Sequence, residues 1–210
     1  MDSEHSHHHH PLLQSNWADY VTGNYGDSVE FVIDKSMPRP VRRLVRQVVQ
    51  EIDEIIGTPT TVKARNPWKR CIGFGGAEAD IFLTDKAPSE AWDKHNPIGL
   101  NVGDTRGLSW ATEDCNGMLS SASWATDLYN TSQSRRTNGK LKTNYGLNET
   151  TEHVITHEIL HTLGLSHPNN NGHESGFTWK ESAMSYNWGP VPEQGHITAL
   201  DREALALLWG

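Results

Sequence analysis

The chain has 210 residues, 35% hydrophobic and 21% charged, which fits one globular domain with a core, or at most two small ones, and excludes a bare peptide module. No run approaches the roughly eighteen consecutive apolar residues of a membrane span, and the start MDSEHSHHHH lacks the apolar stretch of a secretory signal, so the chain as given reads as soluble. A net charge of -8, from 18 Lys and Arg against 26 Asp and Glu, disfavours nonspecific nucleic-acid binding, which needs a clustered positive surface. Small basic clusters at Arg42, Arg43 and Arg46, and at Arg135 and Arg136, read as solvated faces.

In chain order the first feature is a histidine tract. Five of the 12 histidines (His5, His7, His8, His9, His10) fall in it, and residues 1–15 read as a tag-like or disordered tail, with a natural metal-binding tail as the alternative. At 28–33, Val29, Phe31 and Ile33 alternate as in a half-buried strand. A long amphipathic helix is predicted over 40–57. Pro40 stands in its first turn, Val41, Leu44, Val45, Val48, Val49, Ile52, Ile55 and Ile56 recur at three- and four-residue steps, and Gly57 closes it. Its basic residues lie near the N-terminus and its acids near the C-terminus, against the helix dipole, so packing must hold it. Short strands are predicted at 60–64 and 79–83, separated by a turn at Gly73, Gly75 and Gly76 that lacks a phosphate-loop lysine. Further strands are expected at 108–111 and 118–124, then a polar loop over 135–148. Cys71 and Cys115 are compatible with one disulfide or two buried thiols. The sequons at Asn130 and Asn148 are of a kind common by chance.

The chemistry lies in a second helix, predicted from about Thr151. His157 and His161, four apart, project from one helical face and can share a metal ion. Glu158 points about 100° around the helix, placed to reach a metal-bound water rather than to join the same stripe, and so suits a general base. Gly164 can stop the helix and turn the chain back, returning His167 to the same ion. Three neutral imidazoles leave zinc one open position for water. Three histidines, one glutamate and one glycine at fixed offsets arise by chance in roughly two of ten thousand chains of this composition, so the pattern is specific. His153, one turn before His157, is expected to support or lie outside the site, His173 and His196 to be loop residues, and Glu174 or Glu181 to be poor substitutes for His167.

HEILHTLGLSH also matches the HExxHxxGxxH signature of metzincin metallopeptidases. Ser182-Ala183-Met184-Ser185-Tyr186, 17 residues after His167, resembles the Met-turn of serralysin-type enzymes, as does Pro168 directly after the third histidine. The stretch 197–210 resembles the last catalytic-domain helix of matrixins and serralysins, and Thr198 with Asp201 predicts a capping box for it. The resemblance is strong over 151–210; upstream it rests on element order alone. It implies an α+β fold with a twisted, mostly parallel sheet, two long helices and an active-site cleft. Residues 16–167 would form an N-terminal subdomain and 168–210 a small C-terminal one ending in a helix. It further implies His157, His161 and His167 as zinc ligands, Glu158 as base, Met184 as an apolar floor, and Tyr186 as a movable further ligand that stabilises the oxyanion. The segment 118–125 is the expected edge strand for extended substrate. The function implied is a secreted, monomeric zinc endopeptidase acting on extended peptide or protein, with no nucleic-acid or membrane partner. Nothing here matches the glycine-aspartate repeats that follow serralysin catalytic domains. A catalytically silent zinc domain that grips peptide is the second reading, which the presence of Glu158 disfavours, and a metal-sequestering His tail is a third.

Overall fold

The computed structural model describes residues 10–13, 16–24, 28–65, 81–86, 102–103, 107–114, 117–170, 176–190, 192 and 195–210. The expectations for the Gly73 turn, Cys71, Cys115, His173 and Glu174 lie outside these residues. Helix α1 (Asn16–Asn24) is followed by β1 (Val29–Asp34), α2 (Arg39–Asp53), β2 (Thr60–Arg65), β3 (Ile81–Thr84), β4 (Val102–Gly103), β5 (Gly107–Asp114) and β6 (Gly117–Trp124). Then come β7 (Asn130–Arg135), β8 (Leu141–Gly146), α3 (Glu149–Thr162) and α4 (Ala199–Trp209). The fold is α+β. Among the described residues the main sheet runs β2-β1-β3-β6-β5-β4; the first four strands are parallel, and β5 pairs antiparallel with β6.

Residues paired in register share a face, so Phe31 with Ile81, and Ile33 with Leu83 and then Ala122, build one apolar surface. Helices α2 and α3 cover it. Val41, Leu44, Val45, Val48, Val49 and Ile52 of α2 and Ile155, Ile159 and Leu160 of α3 join the same core. Burying six aliphatic side chains of α2 contributes on the order of 10 kcal/mol, whereas unfavourable charges at a helix end cost about 1 kcal/mol, so packing outweighs the reversed dipole. The helix ends at Asp53, ahead of the predicted stop at Gly57.

Three expectations are corrected. Strand β1 is buried on both faces rather than one, because Val32 packs on Phe82 behind the sheet while its acidic residues have partners: Glu30 pairs through Oε2 with Lys63, and Asp34 accepts from Ser36 N–H and Thr84 Oγ1, both at 2.8 Å. The region expected as a polar loop over 135–148 contains most of the antiparallel hairpin β7–β8, paired from Asn130 with Gly146 to Arg135 with Leu141. Both its faces are polar, so it lacks the apolar alternation that marks a half-buried strand. The segment 118–125, expected as the sheet edge, is interior: β6 lies between β3 and β5, and it is β5 that lies toward the edge, with β4, among the described residues, covering Leu108 and Ser109.

Candidate metal centre

Helix α3 starts where Asn148 Oδ1 accepts from Thr151 N–H at 2.9 Å, with Glu149 and Glu152 in the first turn where the dipole favours acids. Its end is a Schellman turn: Leu165 N–H donates to the Leu160 carbonyl (3.3 Å) and Gly164 N–H to that of His161 (3.1 Å). Gly164 has φ +100°, and a Cβ there would lie 3.2 Å from both Ala18 Cα and Leu208 Cδ1, so conformation and space both require glycine. The chain then reverses and brings His167 back onto α3.

The Nε2 atoms of His157, His161 and His167 form a triangle with edges of 3.1, 3.1 and 3.0 Å. Nδ1–H of His157 donates to the Ala183 carbonyl (2.8 Å) and Nδ1–H of His161 to that of Leu165 (2.7 Å). A carbonyl only accepts, so in the neutral rings these bonds place the proton on Nδ1 and leave a lone pair on Nε2. Burial, together with the neighbouring His157 and His167, holds His161 well below its ordinary pKa of 6.5 and hence neutral. Lone pairs facing one another at 3 Å repel unless a cation lies among them. Three nitrogens about 2.0–2.1 Å from a tetrahedral ion would be about 3.3 Å apart, close to the spacing found, so the donor set fits a metal. The three histidines can hold a metal ion.

The carbonyl that holds His157 belongs to the turn at residues 182–186, and that turn is anchored by Asp201. Its carboxylate accepts from Ser182 Oγ (2.7 Å), Ala183 N–H (2.9 Å), Thr198 N–H (3.1 Å) and Thr198 Oγ1 (2.7 Å). The predicted capping box of α4 is thus present, with the same Asp201 also fixing the turn that holds His157. Burial pushes the Asp201 carboxyl above its ordinary value, against the lowering by these bonds. Met184 is fully buried in the main core. The Tyr186 ring lies 4.3 Å from that of His167 and 5.5 Å from that of His157, so the tyrosine is brought to the histidines. Glu158 is buried beside His157 on α3.

The remaining histidines separate clearly. His153 is outside the triangle: it stacks on Trp179 at 3.8 Å and donates from Nε2 to the Ser185 carbonyl at 3.2 Å, tying α3 to the turn. Burial, then His157, pushes it down to about 3, so it is neutral. His10 corrects the reading of residues 1–15 as a tail. It is 7% exposed, it accepts from Leu12 N–H on Nδ1, and Leu12 and Leu13 are core residues. The Pro11 and Leu12 carbonyls accept from Asn169 and Ser166 N–H, both at 2.9 Å, bracketing His167 on either side. Only the proline and leucines hinted at this, and the tract beside them masked it. Glu181 is exposed and bonded to Thr178, apart from the triangle.

His196 is a loop residue, as expected, but a structural one. Its Nδ1 and N–H meet Glu51 of α2 at 2.6 and 2.9 Å, Arg202 reaches the same carboxylate at 3.5 Å, and Glu152 stands 4.0 Å from Nε2. The Glu51 hydrogen bond raises His196 above 6.5; burial raises Glu51, but bonds from His196 and Ile197 outweigh it and leave Glu51 below 4.5. A raised histidine stabilises fully below 6.5 and loses this as pH rises through its folded value; a lowered carboxylate stabilises above 4.5 and loses this as pH falls. The loss of melting temperature caused by Glu51→Gln is therefore expected to be largest between 4.5 and 6.5 and smaller on both sides, as thermal scans across pH would show; a flat difference would contradict the pairing.

No family model matches the chain, and no curated protein is significantly similar to it. Among the described residues no helix is long and apolar enough to cross a membrane.

Proposed function

We propose that the chain is a zinc endopeptidase of metzincin type, closest in its motifs to the serralysins, acting on extended peptide or protein. The observation that carries this reading is the triangle of Nε2 atoms, two of them fixed by backbone carbonyls, with Glu158 buried next to the first ligand. Zinc in such a site supplies a water of lowered pKa and polarises a carbonyl. Glu158 accepts the proton of the attacking water and passes it to the leaving amine. Tyr186, held beside His157 and His167, donates its phenol hydrogen to the oxyanion that develops on the scissile carbonyl and can serve as a further ligand between turnovers. Substrate lies extended along β5, whose outer edge, among the described residues, is paired with β4 at Leu108 and Ser109. In this reading the protein is exported, as the resemblance implies, and works as a monomer.

The test is hydrolysis of casein by a chain lacking residues 1–9, so that the tract cannot contribute metal while His10 stays folded in. Cleavage abolished by a chelator and restored by one equivalent of zinc supports the proposal. Zinc binding without cleavage would favour the silent peptide-binding domain instead.

A further inference from the structure

We propose that the β7–β8 hairpin is a docking arm for an extended acidic segment of a protein partner, whether or not the histidine site is catalytic. Among the described residues the hairpin is a two-stranded sheet of its own. Every residue of β7 is exposed, as is every residue of β8 except the half-buried Asn144, and its base is held by Tyr145, edge-on to Tyr129 at 6.3 Å. Six paired positions at about 3.4 Å each give the arm a reach of about 20 Å. The turn at its end is closed by Arg136 N–H donating to the Lys140 carbonyl at 2.8 Å, with Gly139 at φ +75°.

Charge identifies the partner. Residues 130–146 contain no Asp or Glu and four cations, Arg135, Arg136, Lys140 and Lys142, all exposed. The hairpin is therefore +4 in a chain of -8, leaving -12 on the remainder. The cations cluster at the far end, where Arg135 pairs with Leu141 and Ser134 with Lys142. Leu141, 66% exposed, sits between the two lysines and offers an apolar contact inside the basic patch.

Shape identifies how the partner binds. Each strand of a two-stranded ribbon turns alternate N–H and C=O groups away from its neighbour, so a third strand can add on an outer edge. Cations on such an edge repel basic strands and attract acidic ones. A nucleic-acid duplex or an anionic membrane would extend well past the arm and meet the strongly negative remainder, whereas an acidic peptide of a few residues is matched to the arm alone.

The test uses the intact zinc-loaded chain and a fluorescent peptide of about ten residues alternating Glu with Thr, followed by anisotropy. Binding is expected, weakening at least about tenfold between roughly 0.05 and 0.3 M salt. The variant combining Arg135→Gln, Arg136→Gln, Lys140→Gln and Lys142→Gln is expected to bind at least about tenfold more weakly at an unchanged melting temperature, since all four side chains are exposed. The turn pair Arg136→Gln with Lys140→Gln is expected to give an intermediate loss and guards against a folding artefact in the fourfold variant. Equal binding by wild type and variants, no binding of the peptide, or tighter binding to single-stranded DNA or phosphatidylserine vesicles than to the peptide would each overturn the proposal.

Discussion

Replacing Glu158 with alanine is expected to leave zinc bound at one per chain while peptide hydrolysis falls by about two to four orders of magnitude, the usual range for a missing acid-base group. The two effects separate because the metal and proton roles lie on different side chains. The three histidines that can hold the ion are His157, His161 and His167, whose Nε2 triangle is held by the Ala183 and Leu165 carbonyls and by the turn at Gly164, none of which involves Glu158. Glu158→Gln, nearly the same shape, is expected to show the same loss, which separates chemistry from a packing defect at this buried position. Zinc content by atomic absorption and initial rates on a fluorogenic peptide check both. Hydrolysis unchanged in either variant would remove Glu158 from the mechanism; zinc lost along with activity would make it part of the metal shell.

How much of this was legible in the sequence depended on the range of the interactions. The three histidines were readable because helix geometry alone aligns His157 with His161, and a glycine three residues on is a local cue for the reversal that returns His167. Helix α2 announced itself through six aliphatics on one face. The capping box of α4 was readable for the same reason, since Thr198 and Asp201 are three apart. What could not be read was the second use of a residue. Asp201 also binds Ser182 and Ala183, and Glu51 meets His196 across 145 positions, contacts that no local pattern encodes. The hairpin escaped because neither of its faces is apolar, although Asn138-Gly139 is a turn signal in its own right. His10 was misread because composition grouped it with the exposed-looking tract, while its own burial depends on the following leucines joining the core.

Asp201 is where the largest structural effect is expected. Asp201→Ala removes the acceptor of Ser182 Oγ, Ala183 N–H and Thr198 N–H at once, while Thr198 Oγ1 keeps the Glu181 carbonyl at 2.8 Å; the three orphaned donors belong to buried residues, so water cannot readily replace the carboxylate. Leaving a buried donor unmet costs about 1–3 kcal/mol, so several orphaned at once cost more than any single cap, which is worth about 1 kcal/mol. For a chain of this length each kcal/mol lowers the melting temperature by about 2–4 °C, so a fall of roughly 10 °C or more is expected. The same change reaches the metal. Ala183 N–H loses its anchor, and the Ala183 carbonyl is the group that fixes Nδ1 of His157, so zinc affinity is expected to drop by about 10–100-fold, as for other losses of outer support to a ligand. Asp201→Asn keeps the shape and one carbonyl acceptor, and the expected order in both melting temperature and zinc affinity is wild type, Asn, Ala. Thermal unfolding combined with a zinc competition titration reads both quantities. Stability lost with zinc affinity unchanged would show that Asp201 secures only the helix, and that the turn carrying Ala183 holds its place without it.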